Sequence, residues 1–570
     1  MKRKNLFLTV AAILLGGFVM AACSDSDDSK SDGGGSGSAQ TATDVVIMFY
    51  AVGGGDLDDD NEEDFVRAAS QLYESQNVRY FAQYKYSGKE GYDKNMAKLH
   101  AKYPNYNYVM SGDYGCVYRF ELSWNIINPA CVDANREINF GTGQTAFRDL
   151  TPYKYGDANF KMYAPSNLAA FIQWVMQQTP NAKTYMLTIG DHGGSYDIVR
   201  DAPKQGSAAA PAVTRGIMYD DNLTDSPCMS PQEIAQAFSM LTAEQRSKIQ
   251  LLYFDCCLMS NLEVLGEVKD CAPYILGSSH SVTASNHGLL VKHMATIAKN
   301  GMAKTASNYL QELLEQKRTV YLNGGRKNAN LMNIDYTLTD VSKLDAAYSA
   351  IKDVTDFMVK QDVSNTDAFT QAASKCYQFY NEYPYFDVVD YLAQLKNIAF
   401  PNNTEFAALA DKATTAIRAA IADHADYNYS LDPVNGSSRN LTYSVTIGFN
   451  SKALNLSKSY DEDHAAVMVV TKGGQGTDAK YDPFFSEVVT DNGDVFTLEW
   501  MDKNYKQTNK ETFKFALNKP QCSWDKTYKT LYFDKKTGWS SWMRKNPGAP
   551  LNNPPTGDEE DDIMDTYPTR

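Results

Sequence analysis

Four near-continuous apolar runs constrain this chain most: "DVVIMFYAV" from Asp44 to Val52, "KTYMLTIG" from Lys183 to Gly190, "IQLLYFD" from Ile249 to Asp255, and "APYILGSS" from Ala272. A strand with one wet face alternates apolar and polar residues, so a run without alternation predicts a strand buried on both faces. "NVRYFAQYKY" and "CVYRFEL" read as further strands. Helical spacing fills the gaps. "SNLAAFIQWVMQQT" is a helix that Ser166 is expected to cap. "SPQEIAQAFSML" holds a capping box, Ser230 and Glu233, with Pro231 at the first helical position. Strands that alternate with helices predict an α/β fold, a mostly parallel β-sheet flanked by helices.

Helical segments dominate from about Ala303 to His424, with strand-like "NANLMNIDY" among them, and "LTYSVTIGFN" reads as one more strand. "AAVMVV", "DVFTLEWMD", "ETFKFALN" and "KTLYFDKKTGWSSWM" predict a β-rich C-terminal region over 451–545. The tail, 546–570, is Pro-rich and acidic and reads as disordered.

The start, "MKRKNLFLTVAAILLGGFVMAAC", has a basic head, an apolar stretch and small residues before a cysteine. That is an export signal, set aside from fold reasoning. "MAAC" resembles the end of bacterial lipoprotein signals. The resemblance implies removal of 1–22, lipidation at Cys23 and attachment to a membrane through a lipid anchor; an ordinary secretory signal cleaved near Ala22 is the other reading. Residues 23–43 lack apolar periodicity and read as a flexible tether. Its acidic Ser/Asp start resembles surface-export signals of Bacteroidetes lipoproteins, which implies the bacterial outer membrane or cell surface, or a periplasm-facing position.

The formal charge is −15, near −18 once Lys2, Arg3 and Lys4 leave with the signal, and no basic block stands out, which argues against nucleic acid as a partner. Nine scattered cysteines include no paired Cys-x-x-Cys spacing for zinc. Histidine is sparse and His-Glu-x-x-His is missing, which disfavours a metal-dependent hydrolase.

In open parallel sheets, functional groups collect beyond the C-terminal ends of strands. Two such ends hold reactive residues: "TIGDHGG" with His192, and "YFDCC" with Asp255, Cys256 and Cys257. A thiol needs a base or a depressed pKa to attack at neutral pH, and a histidine at a neighbouring strand end can supply that base. Each feature alone also fits a plain structural role: a small core cysteine, a His-Gly turn. His280 and His287, in "SSHSVTASNHG", are rival bases.

"TYMLTIGDHGGSYD" and "LLYFDCCLMSNLEV" resemble the two signatures of the clostripain family of cysteine peptidases, which are caspase-like in fold. "VVIMFYAVGGGDLDDD", "RGIMYDD", "YFDVVDYLAQL" and "YSVTIGFN" extend the likeness over 44–450, expected to be the peptidase domain; "LYFDKKTGWSSWM" resembles the family's end. The resemblance implies His192 as general base and Cys257 as nucleophile. It implies the N–H groups of Gly193 and Cys257 as the oxyanion hole, and Asp255 as the floor of the primary specificity pocket. Cys256 then fills a position usually held by Ala. Peptide or protein substrates cut after Arg or Lys follow, with no required cofactor, although some members of the family depend on calcium.

The acidic "DLDDDNEED" tempts a metal assignment but reads first as a solvated helix start. The family commonly has an acidic loop where this chain has "SSHSVTASNHG", without a carboxylate. The polar, Gly/Ala/Pro-rich stretch between Asp197 and Arg215 is expected to be an exposed loop open to self-processing, at Lys204 first, then Arg200 and Arg215. The competing function is a catalytically inactive surface lipoprotein that binds protein or glycan on the same fold.

Overall fold

A computed structural model describes residues 45–545 apart from intervening stretches, the longest of them 129–149, 197–215, 292–332, 429–441, 447–481 and 515–527. Cys23, the tether, the tail, Arg200, Lys204, Arg215 and His287 lie outside the described residues.

The strands are β1 Val45–Val52, β2 Val78–Lys85, β3 Val117–Leu122, β4 Tyr153–Gly156, β5 Thr184–Gly190, β6 Ile249–Asp255, β7 Tyr274–Gly277, β8 Asn333–Asp340, β9 Gln378–Tyr380, β10 Tyr385–Asp387, β11 Ile421–Asn428, β12 Ser444–Thr446, β13 Asp482–Phe484, β14 Val495–Met501 and β15 Gln507–Lys514. The helices that matter below are α1 Asp58–Leu72, α2 Lys89–Lys102, α3 Pro165–Gln178, α4 Pro231–Ser239, α5 Ala243–Lys248, α6 Leu262–Val268, α7 Leu344–Lys360, α8 Thr366–Ser374, α9 Val388–Gln394, α10 Thr404–Ala419, α11 Tyr532–Thr537 and α12 Trp539–Lys545.

Nine strands form one sheet in the order β11-β8-β7-β6-β5-β1-β2-β3-β4. The central strands β2, β1, β5, β6 and β7 are parallel, and the flanking strands pair antiparallel. The long apolar runs are these central strands, as a sheet covered on both faces requires. Every residue of β1 is buried, and its alternate side chains feed two separate cores. Val46, Met48 and Tyr50 meet α3; Ile47 and Phe49 share the opposite core with Phe65 of α1.

Three expectations change. Ser166 does not cap α3: Ala164 is the N-cap and Pro165 opens the helix, its missing N–H being no loss there. The end of the β-rich region is helical, since α11 and α12 replace the strand expected from "KTLYFDKKTGWSSWM"; Phe533 on α11 and Trp539 and Trp542 on α12 are fully buried. The start of α1 is not solvated, because Asp58, Glu62 and Asp64 are buried against partners of their own. The capping box at Ser230 and Glu233 forms as expected.

Candidate active site

From β1 the chain moves to β2 on one side, while β5 joins β1 on the other. A parallel sheet opens a crevice beyond its C-terminal edge at such a reversal. The loops after β1, β5 and neighbouring β6 meet there.

"GGGD" leaves β1. Gly54 has φ +57, and a Cβ on it would stand 2.3 Å from Oδ1 of Asp191 and 2.8 Å from Cδ2 of His192. Only glycine allows both the left-handed backbone and that approach. The turn brings Asp56 to His192, with Oδ1 2.7 Å from Nε2. Burial pushes the imidazole pKa down, but the hydrogen bond to Asp56 and the charges of Asp191 and Asp56 outweigh it and lift His192 to about 9. Burial pushes Asp56 up, and the bond and charge of His192 bring it below the ordinary carboxylate value. Asp191 is buried, accepts a hydrogen bond from the Tyr219 N–H and has no partner for Oδ1 among the described residues. Burial raises it to about 8, whereas Asp56 is held below the ordinary carboxylate value.

Gly193 closes onto β6. A Cβ there would lie 1.9 Å from the carbonyl oxygen of Cys257, so the backbones of the two loops are in contact. His192 and Cys257, 65 positions apart in sequence, are thereby brought to one place, as expected. Gly193 also bridges Ile217, and the Gly194 N–H donates to the Gly216 carbonyl, which anchors the chain directly after the 197–215 stretch.

The half-buried Cys257 thiol meets the main chain of Val282, which donates its N–H to Sγ at 3.1 Å and accepts from Sγ at 3.4 Å. Cys256 is buried beside it, and burial pushes its thiol well above the ordinary range, the state of a packing residue. Asp255 pairs with Gly190 at the end of β6 and accepts a hydrogen bond from the Tyr253 hydroxyl at 2.9 Å. The strand stops at Asp255, so strand alternation does not put Asp255 and Cys257 on one face; Cys257 lies in the turn beyond, followed by Leu258 at φ +59.

His280 is not placed as a base. It is buried, bonded through Nε2 to the Tyr377 hydroxyl at 2.8 Å and packed edge-on against Phe379. Its loop does receive a carboxylate, from a residue sequence reasoning missed: Asp335 of β8 accepts from Ser278 Oγ and from the N–H groups of Ser279 and His280. Asp56 was missed as well, and its signal was present in the "GGGD" turn at a strand end.

Several carboxylates of the acidic stretch are committed to protein partners. Asp56 serves His192, Asp58 accepts from Tyr84 and Ser87, Glu62 from Tyr86, and Asp64 pairs with Arg67 and accepts from Gly288. Among the described residues no cluster of three His, Cys, Asp or Glu side chains could hold a metal.

The clostripain family profile, Peptidase C11, matches residues 145–545, more than half of the chain and inclusive of both candidate loops and α12. The chain belongs to the clostripain family. It is a cysteine peptidase with an α/β fold. Among solved structures, this clostripain-family chain is similar to a secreted C11 cysteine protease from Bacteroides thetaiotaomicron, "iotapain", at 15% identity over 68% of this chain and 88% of that one, with a TM-score of 0.44. It is also similar to an inactive zymogen C11 protease from Parabacteroides distasonis at 15% identity over 70% and 89%, with a TM-score of 0.40. No curated protein matches the chain. No helix among the described residues is long and apolar enough to cross a membrane.

Proposed function

We propose that this clostripain-family peptidase cuts peptide bonds with Cys257 as nucleophile and His192 as its proton partner, oriented by Asp56. The observation that supports it most is the Gly193–Cys257 contact, which seats the two strand ends that carry His192 and Cys257 on each other. With Nε2 held by Asp56, Nδ1 is the nitrogen left to take the thiol proton. The thiolate attacks the scissile carbonyl, and the N–H groups of Gly193 and Cys257 receive the oxyanion; one such donor is typically worth ~10²–10³ in rate. The imidazolium then returns its proton to the leaving amine, and water releases the acyl group from Sγ. An imidazole raised to about 9 suits this cycle, because it favours a thiolate–imidazolium pair at neutral pH.

Cleavage after Arg, or Lys, follows from Asp255. A buried carboxylate that can accept two parallel charge-assisted bonds favours a guanidinium, and each such bond is worth ~1.5–3 kcal/mol. Lys offers a point charge and ranks below Arg. Self-processing between Asp197 and Arg215, at Lys204 or else Arg200 or Arg215, and a lipid anchor at Cys23 at the bacterial cell surface complete the proposal.

The test is kcat/KM on matched peptides with Arg, Lys, Gln or Asp before the cleaved bond, for wild type, Asp255→Asn, Cys256→Ala and Cys257→Ala. The expected outcome is a basic preference that collapses in Asp255→Asn, activity kept in Cys256→Ala and abolished in Cys257→Ala. Indifference to the basic residue would remove Asp255 from specificity, and reversed cysteine phenotypes would move the nucleophile to Cys256. Loss of the two-fragment pattern in Cys257→Ala would establish self-processing, and release of Cys23→Ala from membranes the anchor.

A further inference from the structure

We propose that Asn261, beyond capping α6, is the positioning residue that holds the His192 and Cys257 loops at a fixed spacing, given the catalytic roles assigned to those two residues above. Its side chain is buried, and its amide oxygen and both amide N–H groups are engaged. Oδ1 accepts the Val264 N–H at 2.8 Å and caps the helix. Nδ2 donates to the Leu258 carbonyl at 2.8 Å and to Ser195 Oγ at 2.6 Å. Leu258 directly follows Cys257, and Ser195 lies three residues after His192.

Both partners sit in strained turns, Leu258 at φ +59 and Ser195 at φ +67. A residue with a Cβ avoids that region unless its surroundings hold it there. One amide holds both turns. Capping alone needs only an acceptor, which Ser or Asp supplies as well as Asn. The two N–H groups are what Asn adds, and each goes to a different loop. The contact of Gly193 with the Cys257 carbonyl leaves no slack between the loops, so a turn that relaxes must move the imidazole relative to the thiol.

Asn261→Ser and Asn261→Asp both keep the cap; Asp removes both donors, and Ser replaces the two amide N–H groups by one shorter hydroxyl that cannot serve both loops. Asn403→Ala is the control for a lost cap: Asn403 caps α10 through Phe406, with no part in the site. Each full-length variant is measured for thermal midpoint, for kcat and KM, and for the pH profile of Cys257 alkylation, read by mass spectrometry. Asn261→Ser should lose roughly tenfold or more in kcat, as misplaced reacting groups do, with KM little changed. Its alkylation profile should move to higher pH as the thiolate loses its imidazolium. Asn261→Asp should lose kcat likewise, and Asn403→Ala should lower only the midpoint. Wild-type kcat and an unmoved profile in Asn261→Ser would overturn the proposal. If neither Asn261 variant folds, Ser195→Ala removes one end of the bridge: a profile moved to higher pH supports the proposal, an unmoved one overturns it. Turnover that survives in Cys257→Ala or His192→Ala would instead sink the catalytic assignment itself.

Discussion

His192 takes much of its character from Asp56, outside its own strand, and the charge of the adjacent Asp191 acts in the same direction. Asp191, its neighbour in sequence, is raised to about 8 by burial, whereas Asp56 is held below the ordinary carboxylate value and hydrogen-bonded to Nε2. Asp56→Asn removes that charge, so the His192 pKa should fall from about 9 towards the ordinary 6.5. Turnover that needs the imidazolium should then lose its alkaline limb at lower pH than in wild type. Stability follows the same sign: a pKa raised in the folded state contributes stabilisation that is complete below 6.5 and lost as pH climbs through about 9. Profiles of kcat/KM and thermal midpoint against pH check both, and superimposed alkaline limbs would contradict the pairing. Tyr253 deals with Asp255 in the same local way: its hydroxyl gives a buried carboxylate one of the donors it needs before any substrate arrives.

The elements meet through contacts that leave no room for adjustment. Gly193→Ala would drive a Cβ to 1.9 Å from the Cys257 carbonyl oxygen and to 2.8 Å from its backbone carbon and nitrogen. Backbone lies on both sides, so the loops must part. Turnover should fall by ~10²-fold or more, the scale expected of a small displacement of reacting groups; activity within a few-fold of wild type would show that the contact is not needed. The end of β2 is secured differently. Lys85 is fully buried, its Nζ 2.7 Å from Asp220 Oδ2 and bonded to the carbonyls of Ala158 and Phe160 at 2.9 and 2.8 Å. Asp220 belongs to the segment that runs from Gly216, at the edge of the 197–215 stretch, back to Met229 beside Ile217. Breaking one side of such a pair leaves an uncompensated buried charge, so Asp220→Ala should cost ~3–5 kcal/mol in urea unfolding. A loss below ~1 kcal/mol would mean that the carbonyls alone satisfy Lys85.

At the scale of the molecule, residues near the C-terminus complete the core behind the site. The α11 helix packs on α6 and α7 and the α12 helix on α7, and α6 begins just after Cys257. Phe533, Trp539 and Trp542 are fully buried, with Trp542 4.5 Å from Phe369 between ring centroids. The Tyr528 hydroxyl donates to buried Glu263 at 2.9 Å, and its ring lies edge-on to Tyr196, four residues after His192. Trp542→Ala should destabilise by ~3–5 kcal/mol. A chain ended before Tyr528 should fail to give soluble, active enzyme. A truncated protein with the wild-type thermal midpoint would show that these helices are dispensable.

Local pattern determined much of this. The continuous apolar runs specified central strands because burial on both faces leaves no polar alternation, and the Ser230–Glu233 box needed only its own residues. The positions of His192 and Cys257 at strand ends were legible for the same reason. Other features depended on distant neighbours. The fate of "DLDDDNEED" was set by Tyr84, Ser87, Tyr86 and His192, which no local rule places beside it. "LYFDKKTGWSSWM" has aromatics that suit a strand, yet the groove on α6 and α7 buries them as helices, and packing outweighs propensity. The sequence by itself thus determined the strands and the two reactive ends. Only the tertiary structure decided which carboxylate serves His192, which backbone touches Cys257 and which amide ties the two loops, because a hydrogen bond between residues far apart in the chain exists only once the sheet has brought them together.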